Sequence, residues 1–200
     1  MKSPFSWRGL RLRVPAGRQA QRLSFPVSGP VRIALLEPGF WAEGNVREFA
    51  PEDLVALRSY APEALVAPLD VVLSLADQKN RGLVDLGSLN AAVVVLTSLN
   101  DSPLTDDHRD LLWQAFGVPV FEQLRGWDGV VMARECEVHD GLHLDLNNDG
   151  SAAGVDLPEQ IVSERCECGL ETPRLKSLAP VYSAMLGTPE SPGVGVTYRR

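Results

Sequence analysis

The chain has 200 residues, 44% hydrophobic and 22% charged, the proportions of a globular protein that buries one core without covalent staples. A net charge of −7 argues against general nucleic-acid binding, and no apolar run approaches the ~20 residues that span a bilayer as a helix. Only three cysteines and three histidines are present, yet all the cysteines and two of the histidines fall between Cys136 and Cys168.

The charge is uneven. Lys2, Arg8, Arg11, Arg13, Arg18, Arg22 and Arg32 lie in the first 32 residues with no acid among them, so the rest of the chain carries the whole negative excess. Residues 1–30 are read as a basic arm, solvated or loosely packed; a transit-like or lipid-contacting segment is the alternative. The arm has no continuous apolar core of the secretory kind, so a reducing cytoplasm is the expected compartment.

From residue 31 strands and helices are expected to alternate. Val31–Leu36 reads as a strand stopped by Pro38-Gly39. Pro51, tolerated in a first helical turn, opens a helix over "EDLVALRSY". "ALVAP" (64–68) is a short strand, and "PLDVVLSLADQKN" a helix with Leu69, Val72, Leu73, Leu75 and Ala76 at core spacing, ended near Gly82. "AAVVVLT" (91–97), apolar on both faces, is a buried strand. Thr105 caps a helix that places Asp106 and Asp107 in its first turn and runs to Phe116 and Gly117. Trp113 is expected to pack on the sheet and His108 to be solvated. "VPVFEQL" (118–124) completes an α/β pattern with a parallel sheet.

After Gly126 the pattern changes. "WDG" (127–129) signals a hairpin turn, "VVMAREC" (130–136) and "LHLDL" (142–146) alternate like antiparallel strands, "NNDGSAAG" (147–154) is a loop, and "EQIVSE" (159–164) is a last strand. Residues 179–200 are a Gly/Pro-rich tail, leaving 31–178 as one domain with a β region over 127–175. There is no internal repeat.

The cysteines admit three readings: small buried hydrophobes, a disulfide, or a metal site. For a metal the ligands are Cys136, His143, Cys166 and Cys168, a donor set suited to tetrahedral, structural Zn2+. Cys166 and Cys168, two apart, face one side of an extended segment, and Gly169 supplies the turn of a knuckle. A hairpin through "EVHDG" brings Cys136 to His143; His139, at its tip, is the rival ligand and is expected to be solvated. Asp140 or Asp145 is placed to orient the second ring nitrogen of His143, although Asp140 also suits the "DG" turn.

Three stretches taken together resemble the phenylacetate–coenzyme A ligase family of adenylate-forming enzymes. "AAVVVLTSLNDSPLTDDHRDLLWQAFGVPVFEQ" (91–123) is similar to that family's strand, "GAEP" loop, helix and following strand. "ECEVHDGLHL" (135–144) is similar to its "EC…DGLH" segment, and "CECGLETPRL" (166–175) to its "CxCGR…PR" segment. The resemblance covers about residues 46–175 and implies part of an adenylate-forming large domain. It also implies zinc on Cys136, His143, Cys166 and Cys168, as in some members.

The same comparison marks departures. Acyl-adenylate chemistry needs a Ser/Thr/Gly-rich loop around the triphosphate, and the chain has no such run. The family's "YGxTE" is replaced by "VFEQLRGWDG" (120–129), where Glu122, the nearest acid, is read as a solvent-facing strand residue. "GAEP" has become "SLNDSP" (98–103), the family's lysine-bearing C-terminal domain is expected to be absent, and Lys176 matches no catalytic position. Removing a single preorganised donor costs ~3 kcal/mol of transition-state stabilisation, so ligase activity by this chain alone is not expected. The expectation is a truncated, non-catalytic, zinc-stapled relative, with no catalytic or nucleotide-binding residues, that binds a protein partner, a second copy or a small acyl ligand. A subunit of a split ligase is the alternative. No nucleic acid and no stable membrane insertion are expected.

Overall fold

The protein is described from a computed structural model, which places residues 8–11, 22–25, 31–37, 45–98, 101–126, 131–145 and 161–176. The "WDG" turn, the 147–154 loop and the C-terminal tail lie outside the described residues. The elements are β1 (Arg8–Arg11), β2 (Arg22–Phe25), β3 (Ile33–Leu35), β4 (Val46–Glu48), α1 (Leu54–Tyr60), β5 (Ala64–Pro68), α2 (Leu69–Asn80), β6 (Ala92–Ser98), α3 (Asp106–Phe116), β7 (Val120–Arg125), β8 (Val131–Glu135), β9 (Leu142–Leu144), β10 (Ile161–Val162) and β11 (Arg174–Leu175). Nine strands form one sheet in the order β10-β11-β9-β8-β7-β6-β5-β3-β4, and β1 pairs with β2 in a separate antiparallel ribbon.

The sheet is α/β in its first half. β4, β3, β5, β6 and β7 are parallel. Strands of such a sheet are covered on both faces, which is why "ALVAP" and "AVVVLTS" carry apolar residues at consecutive positions. Val93 and Val95 of β6 join Leu75 and Leu112 from the helices, whereas Val94 and Leu96 join Ile33 and Phe121 in a second cluster. Each fully buried side chain of this size contributes about 1.5–3 kcal/mol. β4 is not apparent in the sequence: only Val46 is buried, while Arg47 and Glu48 are exposed at the sheet edge, a charged edge of the kind that resists further pairing.

Helix α1 begins at Leu54, not at Pro51, because the Asp53 side chain accepts a hydrogen bond from the Ala56 N–H at 3.0 Å and fixes the first turn there. Helix α2 starts directly after Pro68 and buries Leu69, Val72, Leu75 and Ala76. Helix α3 has a complete capping box: Thr105 Oγ1 accepts from the His108 N–H, and His108 Nδ1 accepts from the Thr105 N–H, both at 3.3 Å. His108 is therefore engaged in the cap, not merely solvated. Trp113 differs from expectation too. Leu112, Ala115 and Phe116 form the buried stripe, and Trp113, about 100° round the helix from Leu112, is 55% exposed.

The second half is antiparallel and continues the same sheet. β8 joins β7 across a register shift at Leu124/Arg125, and β9, β11 and β10 follow in turn. Of the strand read over 159–164, Ile161–Val162 is strand, 163–164 is not and 159–160 lies outside the described residues; β11 is an additional strand. Among the described residues no helix is long and apolar enough to cross a membrane.

Candidate metal centre

Three segments of the antiparallel half converge. Cys136 directly follows β8, His143 lies in the middle of β9, and Cys166 and Cys168 lie in the turn between β10 and β11. Arg174 of β11 pairs with His143, which sets the turn against β9. The turn is closed by Gly169 N–H donating to the Cys166 carbonyl at 2.9 Å, with Gly169 at φ +89°, where a side chain would be strained. The hairpin leading to His143 also depends on a glycine. Gly141 has φ +87°, and a Cβ there would run into the Leu175 carbonyl.

Cys136, His143, Cys166 and Cys168 offer four ligand atoms within 4.8 Å of one another, an arrangement that could hold a metal ion. Cys136 Sγ is 3.7 Å from Cys166 Sγ, and Cys168 Sγ is 3.4 Å from His143 Nε2. A tetrahedral ion with metal–sulfur bonds of about 2.3 Å and a metal–nitrogen bond of about 2.0 Å sets ligand separations of about 3.8 Å and about 3.5 Å, which these two pairs match. The cysteines are free thiols, so the disulfide reading does not hold. Cys136, His143 and Cys166 are buried and Cys168 half-buried. His139, the rival ligand, is outside the cluster: its ring stacks on Phe121 at 5.0 Å and its Nδ1 meets Glu135 Oε1 at 2.9 Å.

The surroundings favour ligation. Burial lowers the His143 pKa and keeps the imidazole neutral, its ligand form. Burial pushes the Cys136 thiol up to about 12 and raises Cys168, whereas Cys166 falls below the usual thiol value because hydrogen bonds to the Cys168 backbone and to the Cys168 and Cys136 side chains outweigh its own burial. A bound cation inverts this balance and deprotonates coordinating thiols outright. The Leu170 N–H, 3.4 Å from Cys168 Sγ, is a donor for such a thiolate. Neither Asp140 nor Asp145 orients His143. Its Nδ1 meets Thr172 Oγ1 at 2.9 Å, which leaves Nε2 for a metal. Asp140 is held by Arg174 and Lys176, and Asp145 by Arg134 at 2.9 Å. Thr172 and Arg174 are the residues that sequence reasoning missed. The buried Arg174 cation lowers the Cys166 pKa and so favours a thiolate-rich centre. The "TPRL" run beside the knuckle was the available signal.

Glu122 is the main correction: it is 5% exposed, not solvent-facing. Residues alternate on β7, but α3 covers the face that would otherwise meet water. Thr97 Oγ1 donates to Glu122 Oε1 at 2.7 Å, and Arg109 Nη2 stands 3.6 Å from Oε2. Glu135 lies beside it, accepting from Arg109 Nη1 at 3.0 Å and from the Glu122 N–H at 2.9 Å. Burial raises the Glu122 pKa to about 7, against the Thr97 hydrogen bond and the Arg109 charge. At the carboxyl ends of the parallel strands, Arg125 of β7 pairs with Glu37, just beyond β3.

The fold is thus a mixed sheet with a mostly parallel core, all three described helices and a Cys3His cluster at its antiparallel end. Solved structures with a similar fold of the sheet and helices include an open conformation of 2-hydroxyisobutyryl-CoA ligase in complex with 2-HIB-AMP and CoA, at a TM-score of 0.54 and 10% identity. That match covers 86% of this chain and 52% of the ligase, so the chain spans about half the ligase's length. At that identity the likeness is one of fold. No protein-family model matches the chain, and neither does any curated protein.

Proposed function

We propose that the chain is a non-catalytic binding module, stabilised by a structural zinc ion and related to the phenylacetate–coenzyme A ligases. The observation that carries the reading is the cluster of three sulfurs and one imidazole nitrogen within 4.8 Å. Zinc suits a closed, thiolate-rich tetrahedron, and four protein ligands leave no position for a reacting water. The subfamily rests on "DGLH" and "CECG" in that order, and the non-catalytic reading on there being no Ser/Thr/Gly-rich phosphate-loop run within these 200 residues. In this reading residues 31–178 are the domain, the compartment is the reducing cytoplasm, and the partner is a protein or a second copy docked on a sheet edge.

Chelation tests the reading. Removing zinc from such a centre removes folding free energy, so a strong chelator lowers the melting temperature by about 10 °C or more. An unchanged melt contradicts it. The fold likeness to a ligase seen with an acyl adenylate favours a second reading, a subunit whose partner chain supplies the phosphate loop and lysine. ATP–pyrophosphate exchange that appears only when such a chain is added supports that alternative.

A further inference from the structure

Helix α3 packs on β7, but β8, β9 and β11 continue the sheet beyond it with no described helix on top. The step between them is a groove of about 910 Å3, within the size range of small-molecule sites. Its floor holds Glu122 and Glu135, both under 6% exposed, and its rim Asp106 and Asp110. Leu104, Leu142, Leu175 and the exposed face of Trp113 supply apolar wall.

We infer that this groove binds a small amphipathic ammonium ion, its charged head against Glu122 and Glu135 and its apolar body along Trp113. Two details of geometry favour a cation over an anion. First, Arg109 is committed: Nη1 donates to Glu135 and to the Val120 carbonyl, and Nη2 faces Glu122. Lys176, also in the lining, is held by Asp140. Second, Glu135 is fully served, by Arg109 and by His139 Nδ1 at 2.9 Å from its Oε1, whereas Glu122 is not. Glu122 Oε1 has the Thr97 hydroxyl, but Oε2 has only the Arg109 nitrogen at 3.6 Å, beyond good hydrogen-bonding distance. An ammonium N–H directed at that oxygen supplies the missing donor and favours the ionised carboxylate. An indole face beside it adds cation–π attraction. The groups facing Glu122 are Thr97 from β6, Arg109 from α3 and Glu135 from β8, the last also paired with His139, and burial raises the Glu122 pKa to about 7. A bound cation displaces that proton, so binding tightens as pH rises through neutrality.

The inference deepens the binding-module reading and rests on it, because Leu142, next to His143 on β9, and Leu175 of the paired strand β11 reach the groove. The test is calorimetric titration of the full chain with phenethylammonium, 2-phenylethanol and 3-phenylpropionate, with zinc content measured on the same sample. Phenethylammonium is expected to bind at one site at least tenfold tighter than either analogue. Glu122→Gln is expected to weaken it about tenfold. The surface changes Trp113→Ala and Asp110→Asn, which leave the core intact, are expected to weaken it several-fold and serve if Glu122→Gln does not fold. A zinc-loaded sample that ignores the amine, prefers the carboxylate, or binds the alcohol equally well overturns the groove assignment alone. Amine binding without zinc supports the groove and overturns the metal reading.

Discussion

Cys136 Sγ lies 3.7 Å from Cys166 Sγ across a sequence separation of 30 residues. No covalent bond joins them, and both sulfurs are buried beside His143 and Cys168. Four polarisable donors facing one point, where a packed core would place methyl groups, suit an ion better than a hydrophobic cluster. Cys136→Ala is therefore expected to cost more than the loss of a small buried side chain. Urea unfolding should show about 3 kcal/mol or more lost from the metal-loaded protein, and only the ~1 kcal/mol of a small buried side chain when both proteins are compared after chelation.

Thr172 offers a finer test, since it touches the imidazole and not the sulfurs. Thr172→Val removes the Oγ1 partner of His143 Nδ1 at nearly constant volume. Metal affinity, measured by competition with a chromophoric chelator, should fall about 10- to 100-fold, with the far-ultraviolet circular dichroism unchanged.

Gly141 holds the hairpin that delivers His143. Its φ of +87° and the adjacent Leu175 carbonyl leave no room for a methyl group. Gly141→Ala should destabilise the protein by about 1–3 kcal/mol and weaken metal binding as well, because the strained segment leads into a ligand. Gly82→Ala provides the contrast: φ is +70° but nothing lies within 4 Å, so its cost is the smaller backbone cost alone.

Glu122 makes stability depend on pH. Its pKa is raised from an ordinary 4.5 to about 7 by burial, so between those values the folded protein holds a proton that the unfolded chain has released. Its contribution is fully present below pH 4.5 and is lost as pH rises through about 7, amounting to about 3 kcal/mol at most. Denaturation at pH 5 and pH 8 should show this fall in the parent and a flatter profile in Glu122→Gln. An equal slope in both would remove Glu122 as its source.

Much of the fold was legible because the signals are local. The double-sided apolar run of β6, the core spacing in α2 and the Thr105 cap of α3 place their elements within a residue or two. β4 and β11 were not legible, since three and two residues carry no periodicity and exist through pairing with β3 and β9. The four ligand candidates could be named from residue type and crowding, and the structure brings those four together. Their support could not. Asp140 and Asp145 flank His143 in the sequence, yet strand register turns one toward Arg174 and Lys176 and the other toward Arg134, while Thr172 reaches the ring. Glu122 was misjudged for the same reason: alternation along a strand says which residues share a face, not whether a helix lies over it.

Metal analysis by mass spectrometry of the purified chain, beside Cys166→Ser/Cys168→Ser, tests the central claim most directly. Close to one zinc per chain is expected in the parent, and loss of both the zinc and the associated thermal stability in the double variant. A parent chain free of zinc, or a double variant that keeps its metal and its melting temperature, would contradict it.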